Sequence, residues 1–324
     1  MPGADSSEFT RFKKLTAIQC GDTQSKDPKS VNRLTQYTSP VSTCSLSKFL
    51  PSLRKNVSGG EQALPLGTFT FKTTENSLGF YMDCTTSQTA TLTNARYSGY
   101  NTMPVDPAPP GQYVYYSIVV IDASKPVTIS GLINLVILGC FSKQLTSLDV
   151  SGLTALQYLG CASNQLKILD VSRLTALQQL VCYSNQLTRL DVSRLTNLQQ
   201  LDCSGNQLTR LDVSRLTALQ QLNCGNNQLT RLDVSRLTAL QQLNCRNNQL
   251  NSLNVSDTTA LQTLYCNNNS FPDQSTIDTI VGQLRDAPGE NNACSILQQT
   301  NDLLTQNTNL FTTPNSVPPG WTIS

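Results

Sequence analysis

The stretch Leu198-Gln-Gln-Leu201-Asp-Cys203-Ser-Gly-Asn206-Gln-Leu208-Thr-Arg-Leu211-Asp-Val213-Ser-Arg-Leu216-Thr217 returns, with few changes, every 21 residues from about Leu132 to Phe271. Cysteines at 140, 161, 182, 203, 224, 245 and 266 keep that interval without a slip. Self-similarity at a fixed period of roughly 20–50 residues marks stacked units, none of which can bury its apolar face alone. The spacing therefore predicts a solenoid over residues 132–271.

Each column of the repeat has a physical reading. Leu156, Leu159, Leu166, Leu169 and Leu174, with Val171, recur in nearly every turn and are expected to point inward as apolar ladders. The cysteine occupies an inward strand position. Neighbouring parallel strands lie ~4.8 Å apart, so the thiols stack one per rung. Zinc spacings of the C-x₂₋₄-C type are absent from this column, and parallel in-register cysteines make poor disulfide partners. Buried free thiols acting as small hydrophobes are the expectation. The asparagines at 164, 185, 206, 227, 248 and 269 sit where the strand turns away, and their amides are placed to satisfy backbone groups of the adjoining turn. The first rung carries Lys143 there, as a terminal repeat can.

The phrase Arg-Leu-Asp-Val-Ser-Arg supplies a second extended segment. By period two, Leu190 and Val192 face in while Arg189 and Asp191 face out. Stacking gives arginine columns beside an aspartate column, which predicts a self-neutralising face rather than an anion site. On the strand face, the outward positions carry a glutamine ladder, Gln179, Gln200, Gln221 and Gln242, with Phe141, Tyr158, Tyr183, Arg246 and Tyr265 around it. Solenoids commonly bind on this face. These nine residues are the candidate site, suited to a protein or a glycan.

The consensus L-x-x-L-x-C-x-x-N-x-L-T-x-L-D-V-S has the form of a leucine-rich repeat and resembles the cysteine-ladder branch of the internalin family and related bacterial and phage surface proteins. The resemblance covers a little under half of the chain. It implies a right-handed, β-rich, non-enzymatic solenoid used for adhesion or for binding proteins and glycans. The closing Gly320-Trp-Thr-Ile323 is likewise similar to the ending of many such proteins.

Composition narrows the function further. The 324 residues contain no histidine, which removes Ser-His-Asp, Cys-His and histidine–metal chemistry together. No phosphate loop or nucleophile–base pair is found, so no enzyme, metal or cofactor is expected. A net charge of +2 without a long basic stripe argues against nucleic acid as a partner. No segment has the ~18 apolar residues of a membrane span. The opening Met1–Lys14 lacks the apolar run of a signal peptide, which suggests either a mature form or a protein made and kept in a cytoplasm.

Four regions are expected. Residues 1–63 form a basic N-terminal arm, with Arg11, Lys13 and Lys14 as anchoring residues; Ser7–Ile18 resembles the opening tails of structural proteins of large DNA viruses. Residues 64–131 alternate apolar and polar in several runs, such as Gly67–Thr74 and Ser77–Met82, and predict a small β-sandwich capping the solenoid. The run Ala108–Tyr113 looks like the closing hairpin of immunoglobulin-like modules. Residues 132–271 are the repeats. Residues 272–324 form a C-terminal cap, whose helix is expected to start at Ser275-Thr-Ile-Asp278. The functional expectation is a structural or attachment protein of a virus or phage particle. Its arm would dock on other virion or capsid proteins, and its solenoid would meet a host-surface protein or glycan. The alternative is an internalin-like adhesin, secreted or on a bacterial surface.

Overall fold

A computed structural model describes residues 64–108, 114–284, 292–295 and 321–323. The expected basic arm, with Arg11, Lys13 and Lys14, lies outside the described residues. The chain from Leu132 winds as a leucine-rich repeat solenoid. Its strands β8 (Leu135–Gly139), β10 (Tyr158–Gly160), β11 (Gln179–Val181), β12 (Gln200–Asp202), β13 (Gln221–Asn223), β14 (Gln242–Asn244) and β15 (Thr263–Tyr265) pair in parallel. The register shifts by one repeat per strand, so Leu159, Leu180, Leu201, Leu222, Leu243 and Leu264 stack directly.

Why the repeat forms this coil is visible in its columns. The leucine ladders and the cysteine column are sealed, with Cys140, Cys161, Cys182, Cys203, Cys224, Cys245 and Cys266 all at 0% exposure. No water reaches these thiols, so burial pushes Cys140 and Cys224 up to about 12, and Cys161, Cys182 and Cys203 well above their ordinary value.

The asparagine column closes the bend behind each strand. The Asn185 amide donates to the carbonyls of Cys161 (3.0 Å) and Cys182 (3.1 Å), one rung back and in its own rung. Its Oδ1 accepts from the Leu166 N–H at 3.0 Å. Asn206 repeats the pattern with Cys182, Cys203 and Leu187. Each such side chain pairs at least three backbone groups that a buried bend would otherwise orphan, as the repeat predicts.

A feature that sequence reading passes over is the residue before each asparagine, and before Lys143 in the first rung. Ser142, Ser163, Ser184, Gly205, Asn226, Asn247 and Asn268 all take positive φ, between 52° and 63°. Glycine and asparagine accept this left-handed conformation readily, and serine is strained there. Asn226, Asn247 and Asn268 add an exposed amide ladder, with Nδ2 to Oδ1 distances of 2.7 Å on successive rungs.

The residues ahead of the solenoid are hydrogen-bonded into it at two places. Strand β1 (Phe69–Thr73) pairs antiparallel with β9 (Leu145–Asp149), the second extended segment of the first coil. Strand β2 (Ser77–Cys84) pairs antiparallel with β8. Both edges of the first coil are thereby occupied, which removes the unpaired N–H and C=O rows that invite aggregation. Behind β2 come β6 (Val114–Val120) and β4 (Ala95–Arg96), completing the start of a twelve-stranded sheet. A five-stranded sheet has the order β5–β3–β7–β1–β9, with β3 at Gln88–Thr93, β5 at Thr102–Val105 and β7 at Val127–Ser130. Pro104 is tolerated because β5 is an edge strand. Strand β6 pairs with β2 and β4, not with β5, so the hairpin expected around Ala108–Tyr113 is not the pairing found. Phe69, Phe71 and Phe80 meet at the centre, with ring centroids 5.1–6.0 Å apart, and their cluster runs without a break into the leucine ladders.

At the far end, helix α1 (Gln274–Leu284) is capped by Asp273, whose Oδ1 accepts from the Thr276 N–H at 2.9 Å. The cap thus lies two residues ahead of the expected Ser275. Strands β16 (Asn292–Ser295) and β17 (Trp321–Ile323) then continue the parallel sheet beyond β15.

Candidate recognition face

In-register pairing turns every outward residue of the sheet into a ladder. One ladder runs Ile137, Tyr158, Gln179, Gln200, Gln221, Gln242, Thr263. Beside it run Gly139, Gly160, Val181, Asp202, Asn223, Asn244 and Tyr265. The residue two beyond each of these, from Phe141 through Tyr183 to Arg246, forms a third by the same spacing.

The nine residues expected at the site all fall on this face, but they are not equally presented. Gln242 and Arg246 are exposed, and Phe141, Gln221 and Tyr265 are half-buried. Tyr158, Tyr183, Gln179 and Gln200 are buried, the two glutamines at 4% and 5% exposure. The Oε1 atoms of Gln179 and Gln200 have no hydrogen-bond partner among the described residues. Gln200 and Gln242 sit in near-identical rungs, so the repeat itself does not set this gradient. What the face offers at its surface is concentrated on the later rungs: Gln221, Gln242, Asn244, Arg246 and Tyr265.

At the other end the face continues past the repeats. Tyr81 on β2 stands opposite Gly139 on one side and Tyr115 on the other. The two tyrosine rings lie 5.0 Å apart, tilted by 56°. Burial raises both phenols above their ordinary value, Tyr81 further through Tyr115 and Tyr115 through Glu75. Glycines make room for these rings: a Cβ at Gly79 would strike Tyr115, and one at Gly160 would strike Phe141. Tyr81 and Tyr115 were not among the expected site residues. The signal that could have found them is the set of glycines on outward strand positions.

On the opposite extended segment, the aspartates do not pair with the arginines as expected. Asp191 Oδ1 accepts from the Ser193 N–H at 3.0 Å and the Ser193 hydroxyl at 2.7 Å, and Asp212 and Asp233 do the same with Ser214 and Ser235. These serine hydrogen bonds are the main reason the three carboxyls sit below their ordinary value; the following arginine contributes less. Among the described residues the ion pair found is Lys125–Asp122, and none involves the arginine columns. No cluster of three or more His, Cys, Asp or Glu converges among the described residues. No described helix is long and apolar enough to cross a membrane.

The sequence matches the family described as leucine-rich repeats (2 copies) over residues 175–218 and again over 196–237. No curated protein matches the chain. Among solved structures, the functional domain of InlJ from Listeria monocytogenes, whose title notes a cysteine ladder, is similar at 28% identity and a TM-score of 0.37. The match covers 52% of this chain and 47% of that one, so the chain spans about half the length of that structure. Residues 175–237 are leucine-rich repeats, and the coils on either side continue them at the same 21-residue spacing.

Proposed function

We propose that this chain is a non-catalytic recognition protein that binds a partner protein across the later rungs of its strand face. The observation that carries the reading is the run of exposed Gln242 and Arg246 with half-buried Gln221, Asn244 and Tyr265 on an in-register sheet. The backbone positions that carry these amide, guanidinium and phenol groups are set before binding, so no loop has to be ordered on association. Arginine and tyrosine are also the side chains that most often anchor interfaces.

A photo-crosslinking residue placed at Gln242 or Arg246, with Thr209 on the opposite segment as control, tests this in extracts of the source. One protein crosslinked from the strand positions and not from Thr209 supports the reading. Crosslinks that favour Thr209 contradict it.

The finer reading is an attachment protein of a virus or phage particle, supported by the basic excess of residues 1–63. The rival, a secreted or surface adhesin, is supported by the repeat consensus. Recovery of the chain in purified particles at fixed stoichiometry after a high-salt wash selects the first. Recovery on cell envelopes or in medium selects the second.

A further inference from the structure

The solenoid carries a second patterned face, on the segment away from the strands. Two exposed arginine columns, Arg189–Arg210–Arg231 and Arg173–Arg194–Arg215–Arg236, flank an exposed aspartate column. With Lys167, that is eight cations against four carboxylates over four rungs, so this face is more positive than the chain's whole net charge of +2. The rungs are held in step by backbone bonds from the N–H groups of Gln186, Gln207 and Gln228 to the carbonyls of Leu166, Leu187 and Leu208. Successive arginine backbone positions therefore repeat at the ~4.8 Å strand spacing.

Both halves of the pattern are open to a ligand. None of the seven arginines is ion-paired among the described residues. The aspartates spend Oδ1 on the serine turn, and Oδ2 of Asp191, Asp212 and Asp233 accepts no hydrogen bond among the described residues. A matching ligand must be linear, carry repeated anions for the guanidinium forks, and supply hydroxyl donors between them for the acceptor-only carboxylate oxygens. DNA backbone and polyphosphate supply the anions but no hydroxyls, and would meet the aspartate column as repulsion. No aromatic ring lies among these columns on which a base could stack. We propose that this face binds a linear sulfated polysaccharide, with sulfate esters on the arginine columns and sugar hydroxyls donating to the aspartates.

The test uses the full chain and heparin as the probe, at about 0.15 M salt. The comparisons are the same polymer with its sulfates removed, a DNA oligonucleotide of equal charge, and the variants R189Q/R210Q/R231Q and R194Q/R215Q/R236Q. All six arginines are exposed, so a thermal melt should match the parent and separate lost binding from lost fold. Binding to heparin that falls about tenfold or more in each variant, with desulfated polymer and DNA at least about tenfold weaker than heparin, is the expected result. Heparin binding unchanged in both variants overturns the proposal, as does no binding at all. DNA binding as tightly as heparin overturns the sulfated-sugar assignment.

Discussion

Raising the pH should dismantle the cysteine column from the unfolded side. In the native state burial lifts Cys140 and Cys224 to about 12, and Cys161, Cys182 and Cys203 well above 9.0, so all five stay protonated through pH 9.5. In the unfolded chain they ionise near 9.0. A folded value above the unfolded one means the stability is complete below about pH 9 and is lost as pH climbs toward the folded value. Each thiol released to ionise favours the unfolded chain by about 0.8 kcal/mol at about pH 9.5, and five together by about 4 kcal/mol. That is a large share of a domain's usual ~5–15 kcal/mol. Urea unfolding followed by far-ultraviolet circular dichroism, under a phosphine reductant, reads the loss between about pH 7.5 and about pH 9.5, below the tyrosine midpoint of about 10. Cys203→Ala should lower the dependence by about one fifth while lowering stability at every pH. A loss below about 1 kcal/mol across the window would refute the sealed column, because it would mean that the native thiols titrate too.

Three further outcomes follow from the same geometry. Asn206→Ala removes the acceptor of the buried Leu187 N–H and one donor each from the Cys182 and Cys203 carbonyls, and should cost about 3 kcal/mol in urea unfolding, against under about 1 kcal/mol for the exposed Asn197→Ala. Ser184→Asn relieves a positive φ of 52° and should raise the thermal midpoint, by up to about 1 kcal/mol of stability; a lowered midpoint would contradict the strain. Asp191, Asp212 and Asp233 have lowered folded values, so their contribution is present above the unfolded value of 3.8 and lost as pH falls through the folded one; the triple Asn variant should flatten the acid limb of the stability curve, and an unchanged limb would count against the serine turns.

The solenoid was legible in the sequence because a 21-residue period forces equivalent residues into equivalent environments. Leu201, Cys203 and Asn206 need only the stacking rule to be placed, and each lies where its column predicts. What the period does not encode was missed. The pairing of Tyr81 with Gly139 is a long-range antiparallel register set by the shape of the first coil, and no spacing along the chain announces it. The left-handed residue carries its usual signal at Gly205, Asn226, Asn247 and Asn268, but serine at 142, 163 and 184 breaks that column. The expected arginine–aspartate neutralisation failed for a local reason. A serine two residues on offers the carboxylate an N–H and an O–H at no entropic expense, which outcompetes a long, solvated guanidinium. The same competition placed the helix cap at Asp273 instead of Ser275. Period also cannot show which rungs of the glutamine ladder reach the surface, since Gln200 and Gln242 read alike in sequence.

Whether the later strand rungs are the recognition surface can be tested most directly with the partner captured through Gln242. Its affinity would be measured for the parent chain, for Q221A/Q242A/N244A/R246A on the strand face, and for R189Q/R210Q/R231Q on the opposite segment. A strand-face variant weakened by about tenfold or more, beside an arginine variant that binds as the parent does, is the result expected. A strand-face variant of unchanged affinity, or a loss confined to the arginine variant, would contradict the assignment of recognition to the strand face.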